Sequence, residues 1–128
     1  MKPKILIVTA RYYKNFSENL EFYASVVLNN KAKYKFVSVP GVFEIPVVIS
    51  KNIKKYDAFI ALGCVIKGET PHFDFISSAT TNAIMKLSVD SKKPIGNGII
   101  TCLDRNQAED RINKALGAVN AVISVLEQ

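Results

Sequence analysis

The stretch "DAFIALGCVI" at residues 57–66 is apolar from its second residue to its last. A helix packed on one side of a core shows polar residues at regular intervals, whereas a strand buried on both faces does not. The run therefore predicts an inner strand of a parallel sheet that is covered by helices on both faces.

Three further segments have the patterns of strands. Residues 4–9, "KILIVT", form a second continuous apolar run, and residues 34–40, "YKFVSVP", alternate apolar and polar before a proline. Residues 94–103, "PIGNGIITCL", open at a proline, which is common at the edge of a strand. We therefore expect four strands.

Segments with helical spacing separate these strands. We predict helices over 17–30, with Ser17 as N-cap, over 73–91 and over 105–127. Residues 42–55 fit a strand or a helix by propensity, and Pro46 favours a short helix that begins near it. The residues expected to form the apolar stripes are Phe16, Leu20, Tyr23 and Val27 in the first helix, Phe75, Ile76, Ala79, Ala83, Ile84 and Leu87 in the third, and Ala108, Ile112, Ala115, Leu116, Val119, Val122, Ile123 and Leu126 in the last.

The alternation of strands and helices predicts an α/β fold with a four-stranded parallel sheet and a flavodoxin-like order of elements. The chain has 128 residues with no repeat or low-complexity linker, so we expect a single domain over 1–128. The last helix carries more apolar residues than one sheet face requires, which favours packing against a partner.

Composition and charge exclude several classes of protein. No apolar stretch approaches the roughly 20 residues of a membrane span, and the N-terminal run is typical of a buried strand rather than of a signal peptide. Cys64 and Cys102 have no metal-site spacing and are predicted to be buried thiols of a cytoplasmic protein. The net charge is +6, but the lysines are scattered, which favours small phosphorylated anions over nucleic acid or membrane as partners.

The residues after the strands are the expected place for a ligand site, because ligands of parallel sheets bind beyond the carboxyl ends of the strands. These ends carry Ala10–Tyr13, Pro40–Glu44, Gly63–His72 and Thr101–Arg105. No dinucleotide-binding glycine motif, P-loop, metal cluster or nucleophile motif is present. The sequence therefore predicts a site with an anion pocket, aromatic walls and one proton carrier.

The turn "KGETPHFD" at residues 67–74 is the strongest candidate for that chemistry. Backbone N–H groups of 68–70 at the start of a helix can hold a phosphate, or Thr70 can simply cap the helix. His72 is the only histidine of the chain, and it is either a proton shuttle or an ordinary surface residue. Arg111 and Lys114 can clamp a phosphate, although solvated surface charge is the common outcome for such residues.

Three motifs together resemble the 6,7-dimethyl-8-ribityllumazine synthase family. They are "PGVFEIP" at 40–46, "ALGCVIKGETPHFDF" at 61–75 and "NGIIT" at 97–101, and the resemblance extends from about Lys4 to the C-terminus. It implies a three-layer α/β/α sandwich that condenses 5-amino-6-(D-ribitylamino)uracil with 3,4-dihydroxy-2-butanone 4-phosphate in riboflavin biosynthesis. It also implies no cofactor or metal, and pentamers, sometimes packed into shells, with active sites between subunits.

The resemblance also implies roles for individual residues. Tyr12 takes the place of an aromatic that stacks on the pyrimidine, and Phe43 and Glu44 border the ribityl chain. Val65 and Ile66 flank the pyrimidine ring.

The remaining roles concern the phosphate and the protons. Gly68, Glu69 and Thr70 hold the phosphate, and His72 transfers protons. Arg111 binds the phosphate, and Lys114 lies near the ribityl or phosphate end, both reaching in from the neighbouring subunit.

Three positions depart from the family pattern. Tyr12 replaces the usual phenylalanine, and Asn97 replaces an aromatic that forms one wall of the pyrimidine pocket. The segment from Arg111 to Lys114 is shorter than usual. Asn97 and the shortened segment leave open a non-catalytic flavin- or lumazine-binding or shell-forming homologue. The related pentameric riboflavin synthase is a second alternative. A generic doubly wound regulatory domain fits the fold but not the loop "GETPHFD" at 68–74.

Overall fold

The protein is described by a computed structural model that covers residues 2–67 and 72–128, with the backbone alone for Glu109 and Lys114. Strands and helices alternate along the chain, and a 3-10 turn at Val42–Glu44 leads into the second helix. The elements are β1 (Lys4–Ala10), α1 (Lys14–Leu28), β2 (Lys33–Val39), α2 (Ile45–Lys51), β3 (Ala58–Ile66), α3 (Phe73–Ser91), β4 (Ile95–Cys102), α4 (Arg105–Asp110) and α5 (Ile112–Leu126).

The four strands form one parallel sheet in the order β2-β1-β3-β4. All nine residues of β3 are buried, as its unbroken apolar run predicts for an inner strand with helices on both faces. The predicted α/β fold with a four-stranded parallel sheet is therefore confirmed.

The side chains of β1 show how the sheet separates two cores. Ile5 and Ile7 point to one face and pack in the cluster that contains the buried residues of α1 and α5. Leu6 and Val8 point to the other face, where the cluster contains residues of α2 and α3. Because successive strand residues alternate in direction, one apolar strand supplies both cores. The expected three-layer α/β/α arrangement is confirmed.

The first helix begins earlier than predicted. Ser17 is not its N-cap, because α1 begins at Lys14 and Tyr13 is the N-cap. Ser17 is buried, and its hydroxyl donates to the carbonyl of Ala10 at 2.5 Å. Its polarity therefore marks a satisfied hydrogen bond between β1 and α1 rather than a helix start.

The buried stripes of α1 and α3 also differ from the prediction. In α1, Ala24 is buried and Tyr23 is exposed. In α3, Ile84 is buried as predicted, whereas Phe75 is 80% exposed and the buried residue Thr80 was not part of the predicted stripe. A difference of one position rotates a side chain by about 100° around a helix, and apolar character alone does not decide which of two neighbouring stripes faces the sheet.

The second and last helices resolve two open points. The helical interpretation of 42–55 is correct, with Pro46 in the first turn of α2, where a missing N–H has no consequence. The single helix expected over 105–127 is instead two helices, interrupted at Arg111, whose φ of -101° and ψ of 8° are not helical.

No helix within the described residues is long and apolar enough to cross a membrane.

Gly96 of β4 allows α5 to pack closely on the sheet. A Cβ at this position would lie 2.7 Å from the carbonyl oxygen of Ala118 and 2.8 Å from a methyl group of Val122. We predict that Gly96→Ala lowers the free energy of unfolding by about 1–3 kcal/mol, because the helix backbone must move away from the sheet. Urea denaturation measures this change.

Gly117→Ala is the matched control for this substitution. Gly117 lies in the exposed face of α5, and a Cβ there meets nothing within 4 Å. Alanine at an open helical position stabilises by about 0.5–1 kcal/mol. Equal effects of the two substitutions would contradict the close approach of α5 to β4.

Candidate active site

Two cavities open at the carboxyl edge of the sheet, with volumes of about 630 Å³ and 250 Å³. Four residues line both of them: Tyr12, Tyr13, Cys64 and Ile66. The larger cavity is otherwise lined by Lys14, Asn15, Phe16, Asn19, Arg105, Ala108 and Ile112. The smaller is otherwise lined by Gly41, Val42, Phe43, Glu44, Val65 and Ile76.

The sheet topology explains why these residues meet. β1, β2 and β3 are adjacent and parallel, so the segments that follow them emerge at the same edge. The structure thus brings together five residues that the sequence singled out from three separate segments. They are Tyr12, Phe43, Glu44, Val65 and Ile66.

Two tyrosines, Tyr12 and Tyr13, line both cavities. The rings of Tyr12 and Tyr13 are in edge-to-face contact, with centroids 4.8 Å apart. Tyr12 is 68% exposed and therefore offers an aromatic surface to a planar ligand. The guanidinium of Arg105 lies 5.4 Å from the centroid of Tyr13, which adds a cation–π contact on the side of the larger cavity.

A network of polar side chains anchors the segment that carries the tyrosines. Arg11 forms an ion pair with Glu21 of α1, and its Nε donates to the Ser38 hydroxyl at 2.8 Å. The second oxygen of Glu21 accepts from the hydroxyl of buried Thr9 at 3.1 Å. The network links β1, β2 and α1 directly behind Tyr12, so it holds the start of the aromatic wall in place.

We predict that Glu21→Gln lowers the free energy of unfolding by about 1–2 kcal/mol, because hydrogen bonds to charged groups contribute more than neutral ones. The Glu21 side chain is only 12% exposed, so water cannot fully replace its bonds to Arg11 and Thr9. Chemical denaturation measures the loss.

Glu18→Gln is the control for the Glu21 substitution. Glu18 also faces Arg11, but at 3.8 Å and with its side chain 51% exposed. Exposed ion pairs contribute little, so we expect a change within about 0.5 kcal/mol. A loss at Glu18 as large as that at Glu21 would show that net charge, and not the buried network, is responsible.

Glu44 and Phe43 form one wall of the smaller cavity. An oxygen of the Glu44 carboxylate accepts from the backbone N–H of Gly41 at 2.9 Å, which fixes the carboxylate at the turn before α2. Phe43, between them, is largely exposed. The wall thus combines an oriented hydrogen-bond acceptor with an aromatic ring.

His72 lines neither of the two cavities. It is the N-cap residue of α3, its side chain is exposed, and its carbonyl accepts from the N–H of Ile76 at 2.8 Å. Ile76, one turn later, lines the cavity. The predicted phosphate-binding residues Gly68, Glu69 and Thr70 lie outside the described residues.

Arg111 is positioned at the end of β4. Its Nη1 donates to the carbonyl oxygen of Thr101 at 2.6 Å, and the residue is half-buried. It lines neither cavity, although the next residue, Ile112, lines the larger. The side chain of Lys114 lies outside the described part of the chain.

Asn97 is remote from both cavities. It lies in β4 opposite Ala61, is exposed, and its side-chain oxygen accepts from the N–H of Ile99 at 3.1 Å. The strand ends five positions later at Cys102, a distance of about 16 Å. The structure therefore does not bring Asn97 to the cavities of its own subunit.

Some residues of the cavities had not been predicted individually. Lys14 and Arg105 are the first residues of α1 and α4, and both add positive charge to the larger cavity. Their positions just after strands are the signal that could have found them. Within the described residues, no group of three or more histidine, cysteine, aspartate or glutamate side chains can hold a metal ion.

Comparisons with known proteins match nearly the whole chain. The family model of 6,7-dimethyl-8-ribityllumazine synthase matches residues 2–128. A relative from Bartonella tribocorum with that name is 41% identical over 114 residues, covering 86% of this chain and 76% of the relative. Relatives with the same name from Agrobacterium fabrum and Methylobacterium radiotolerans are each 40% identical, covering 89% and 96% of this chain and 82% and 80% of their own.

Proposed function

This chain belongs to the 6,7-dimethyl-8-ribityllumazine synthase family, and we propose that it catalyses the reaction for which the family is named. The reaction condenses 5-amino-6-(D-ribitylamino)uracil with 3,4-dihydroxy-2-butanone 4-phosphate and releases phosphate and water. It is a step of riboflavin biosynthesis. The family match over nearly the full length of the chain carries this proposal.

The smaller cavity is the proposed place of the pyrimidine. Tyr12 offers its exposed ring for stacking, and the apolar side chains of Val65 and Ile66 face the same space. Phe43 and the oriented carboxylate of Glu44 would border the polar ribityl chain. An apolar cavity with a few placed polar groups is typical of a site for a small planar ligand.

The phosphorylated substrate is assigned to residues 68–70, between β3 and α3 in the sequence, and to Arg111. Backbone N–H groups at a helix start favour an anion, and a guanidinium can bind phosphate through two parallel hydrogen bonds. Gly68, Glu69 and Thr70 are the proposed phosphate-binding residues of this segment, as the family resemblance implies. Lys114 would add a further positive charge.

The chemical steps need positioning and proton transfer. Two substrates held in contact react as a unimolecular pair, which can lower the barrier by on the order of 7–11 kcal/mol. The amine attacks the ketone, the resulting imine loses phosphate, and ring closure completes the product. His72 would carry the protons, and Arg111 would stabilise the charge of the departing phosphate.

We propose that the site is completed by a second copy of the chain in a homopentamer. The smaller cavity has about 250 Å³, which is below the roughly 300–1,000 Å³ of common ligand pockets. Exposed apolar side chains on α2 and α3, including Val47 and Phe75, suit a subunit interface. Asn97 is exposed on an edge strand, from which it can contact a ligand only across a subunit boundary.

Light scattering coupled to size-exclusion chromatography tests the assembly. A mass of five chains, or a multiple of five, is expected, whereas a monomer that is active at high dilution would refute shared sites.

A cytoplasmic location is also proposed, since polar phosphorylated substrates do not cross membranes unaided, and cell fractionation tests it.

The activity is tested by incubating the purified protein with both substrates. Fluorescent lumazine and free phosphate should appear in equal amounts. Binding of both substrates without turnover would instead indicate a non-catalytic binding protein. Riboflavin formed from lumazine alone would indicate a riboflavin synthase.

A further inference from the structure

The segments that lead into the four strands carry lysines in pairs. These lysines are far apart in the sequence, but parallel strands all begin at the same edge of a sheet. The fold therefore gathers them at the edge opposite the two cavities, which we call the amino edge. Its lysines are Lys2 and Lys4 at β1, Lys31 and Lys33 at β2, Lys54 and Lys55 at β3, and Lys92 and Lys93 at β4, and all except the half-buried Lys93 are exposed.

The carboxylates near the amino edge do not neutralise these lysines. They are the side chains of Asp57, Asp90 and Glu127. Asp57 accepts from the backbone N–H of Lys4 at 2.8 Å, and Asp90 forms its ion pair with Lys86, within α3. No lysine of the amino edge forms an ion pair with a described residue. The edge therefore keeps a strong positive charge.

Structural roles account for few of these lysines. The Nζ of Lys93 donates to the carbonyl oxygens of Ile53 and Tyr56 at 2.5 and 2.9 Å, which ties the start of β4 to the segment before β3. A lysine can also stabilise the negative end of a helix dipole, but this effect is confined to the last turn of the helix. The last turns of α1 and α3 contain no basic residue. The exposed lysines are therefore available to an external anion.

The exposed amino groups follow the edge of the sheet in a row. Lys33 and Lys4 are register partners on β2 and β1, so their backbones are about 4.8 Å apart. Lys55 precedes β3 and Lys92 precedes β4, the next two strands in the sheet. Four strands at this spacing give a row about 14 Å long. A single row of cations matches one polynucleotide strand, in which phosphates recur about every 3.4 Å.

Two tyrosines accompany the row. Tyr34 follows Lys33 and is 38% exposed, and Tyr56 follows Lys55, with the Nζ of Lys4 5.8 Å from its ring centroid. Bases of a single strand stack on aromatic rings beside a cationic path. A membrane surface would instead require several apolar side chains that insert into the lipid, and Tyr34 is the exposed large hydrophobic residue of these four segments.

We propose that the amino edge binds single-stranded nucleic acid, RNA or DNA, through its phosphates and without preference for base sequence. The lysines contact phosphate oxygens as point charges, which carry no information about the bases. The surface is separate from the two cavities, so its occupation does not depend on the condensation reaction.

Fluorescence anisotropy with a short fluorescein-labelled oligouridine tests the proposal. With about four amino groups on phosphates, the affinity should fall about 50-fold between about 50 and 200 mM salt. No binding at the lower salt concentration, or tighter binding of a duplex of the same length, would overturn the proposal. Sedimentation of the protein with phosphatidylserine vesicles, without binding of the oligonucleotide, would assign the surface to lipid instead.

A pair of double variants locates the binding surface. Lys33→Gln with Lys55→Gln should weaken binding at the lower salt concentration by at least about 10-fold and reduce the slope of log Kd against log salt by about 1.4. Lys14→Gln with Lys86→Gln removes the same charge elsewhere, at the start of α1 and from the ion pair with Asp90. This control should stay within about threefold of wild type, because salt screens distant charges. Equal losses in both double variants would show that net charge alone is responsible and would overturn the site.

Discussion

His72→Ala is expected to lower the turnover number of the condensation by about 10²- to 10⁴-fold, the usual contribution of a positioned acid–base group. Some activity should remain, because the positioning of the substrates does not depend on the imidazole. Stopped-flow fluorescence of the lumazine product measures the rate.

The structure allows loss of chemistry to be separated from loss of fold at this position. The His72 side chain is exposed, and chemical denaturation of the alanine variant measures any loss of stability separately from the loss of rate. Added imidazole should restore part of the rate if proton transfer is the missing step. Full activity of the variant would refute the proposed role.

Asp74→Asn is the matched control for His72. Asp74 is also exposed and lies in the first turn of α3. Loss of its negative charge near the helix start should cost at most about 1 kcal/mol of stability and leave the turnover number within a factor of about three. Equal losses at both positions would indicate that the helix start, and not the imidazole, matters.

Arg111→Ala is expected to raise the KM for the butanone phosphate by about 10- to 100-fold. Hydrogen bonds to charged groups contribute about 1.5–3 kcal/mol, and each 1.4 kcal/mol corresponds to a factor of ten. The KM for the pyrimidine should change little, because the phosphate belongs to the other substrate. Steady-state kinetics with each substrate varied in turn measures both values.

Arg111→Lys tests the geometry of the contact. Lysine keeps the positive charge but loses the planar fork, so an intermediate rise in KM is expected. Arg111→Ala also loses the hydrogen bond to the Thr101 carbonyl, at a cost of about 1.5–3 kcal/mol of stability. Inhibition by inorganic phosphate should weaken in parallel with the KM, and unchanged inhibition would place the phosphate elsewhere.

Much of the fold was predictable because the local pattern of apolar residues indicates which strands are buried. The unbroken apolar run of β3 identified the inner strand, and the alternation of strands and helices identified the parallel sheet. These features depend on the period of apolar residues, which backbone geometry imposes on any chain. The rule that parallel sheets bind ligands at their carboxyl edge then identified the segments that surround the two cavities.

The errors of prediction concern contacts between elements. Ser17 has the chemistry of an N-cap, yet its hydroxyl is bound to Ala10 of the preceding strand. Phe75 is a large apolar residue, yet the helix turns it away from the sheet. Arg111 interrupts the last helix where its guanidinium meets the carbonyl of Thr101.

The amino-acid sequence alone determined the class of fold, the family and the segments that form the candidate site. Only the tertiary structure decided which face of each helix is buried, that Cys64 and Cys102 meet, and that Asn97 lies far from the cavities of its own subunit. The physical reason is that periodicity fixes the direction of a side chain relative to its own element. The register and packing of separate elements determine which side chain it meets.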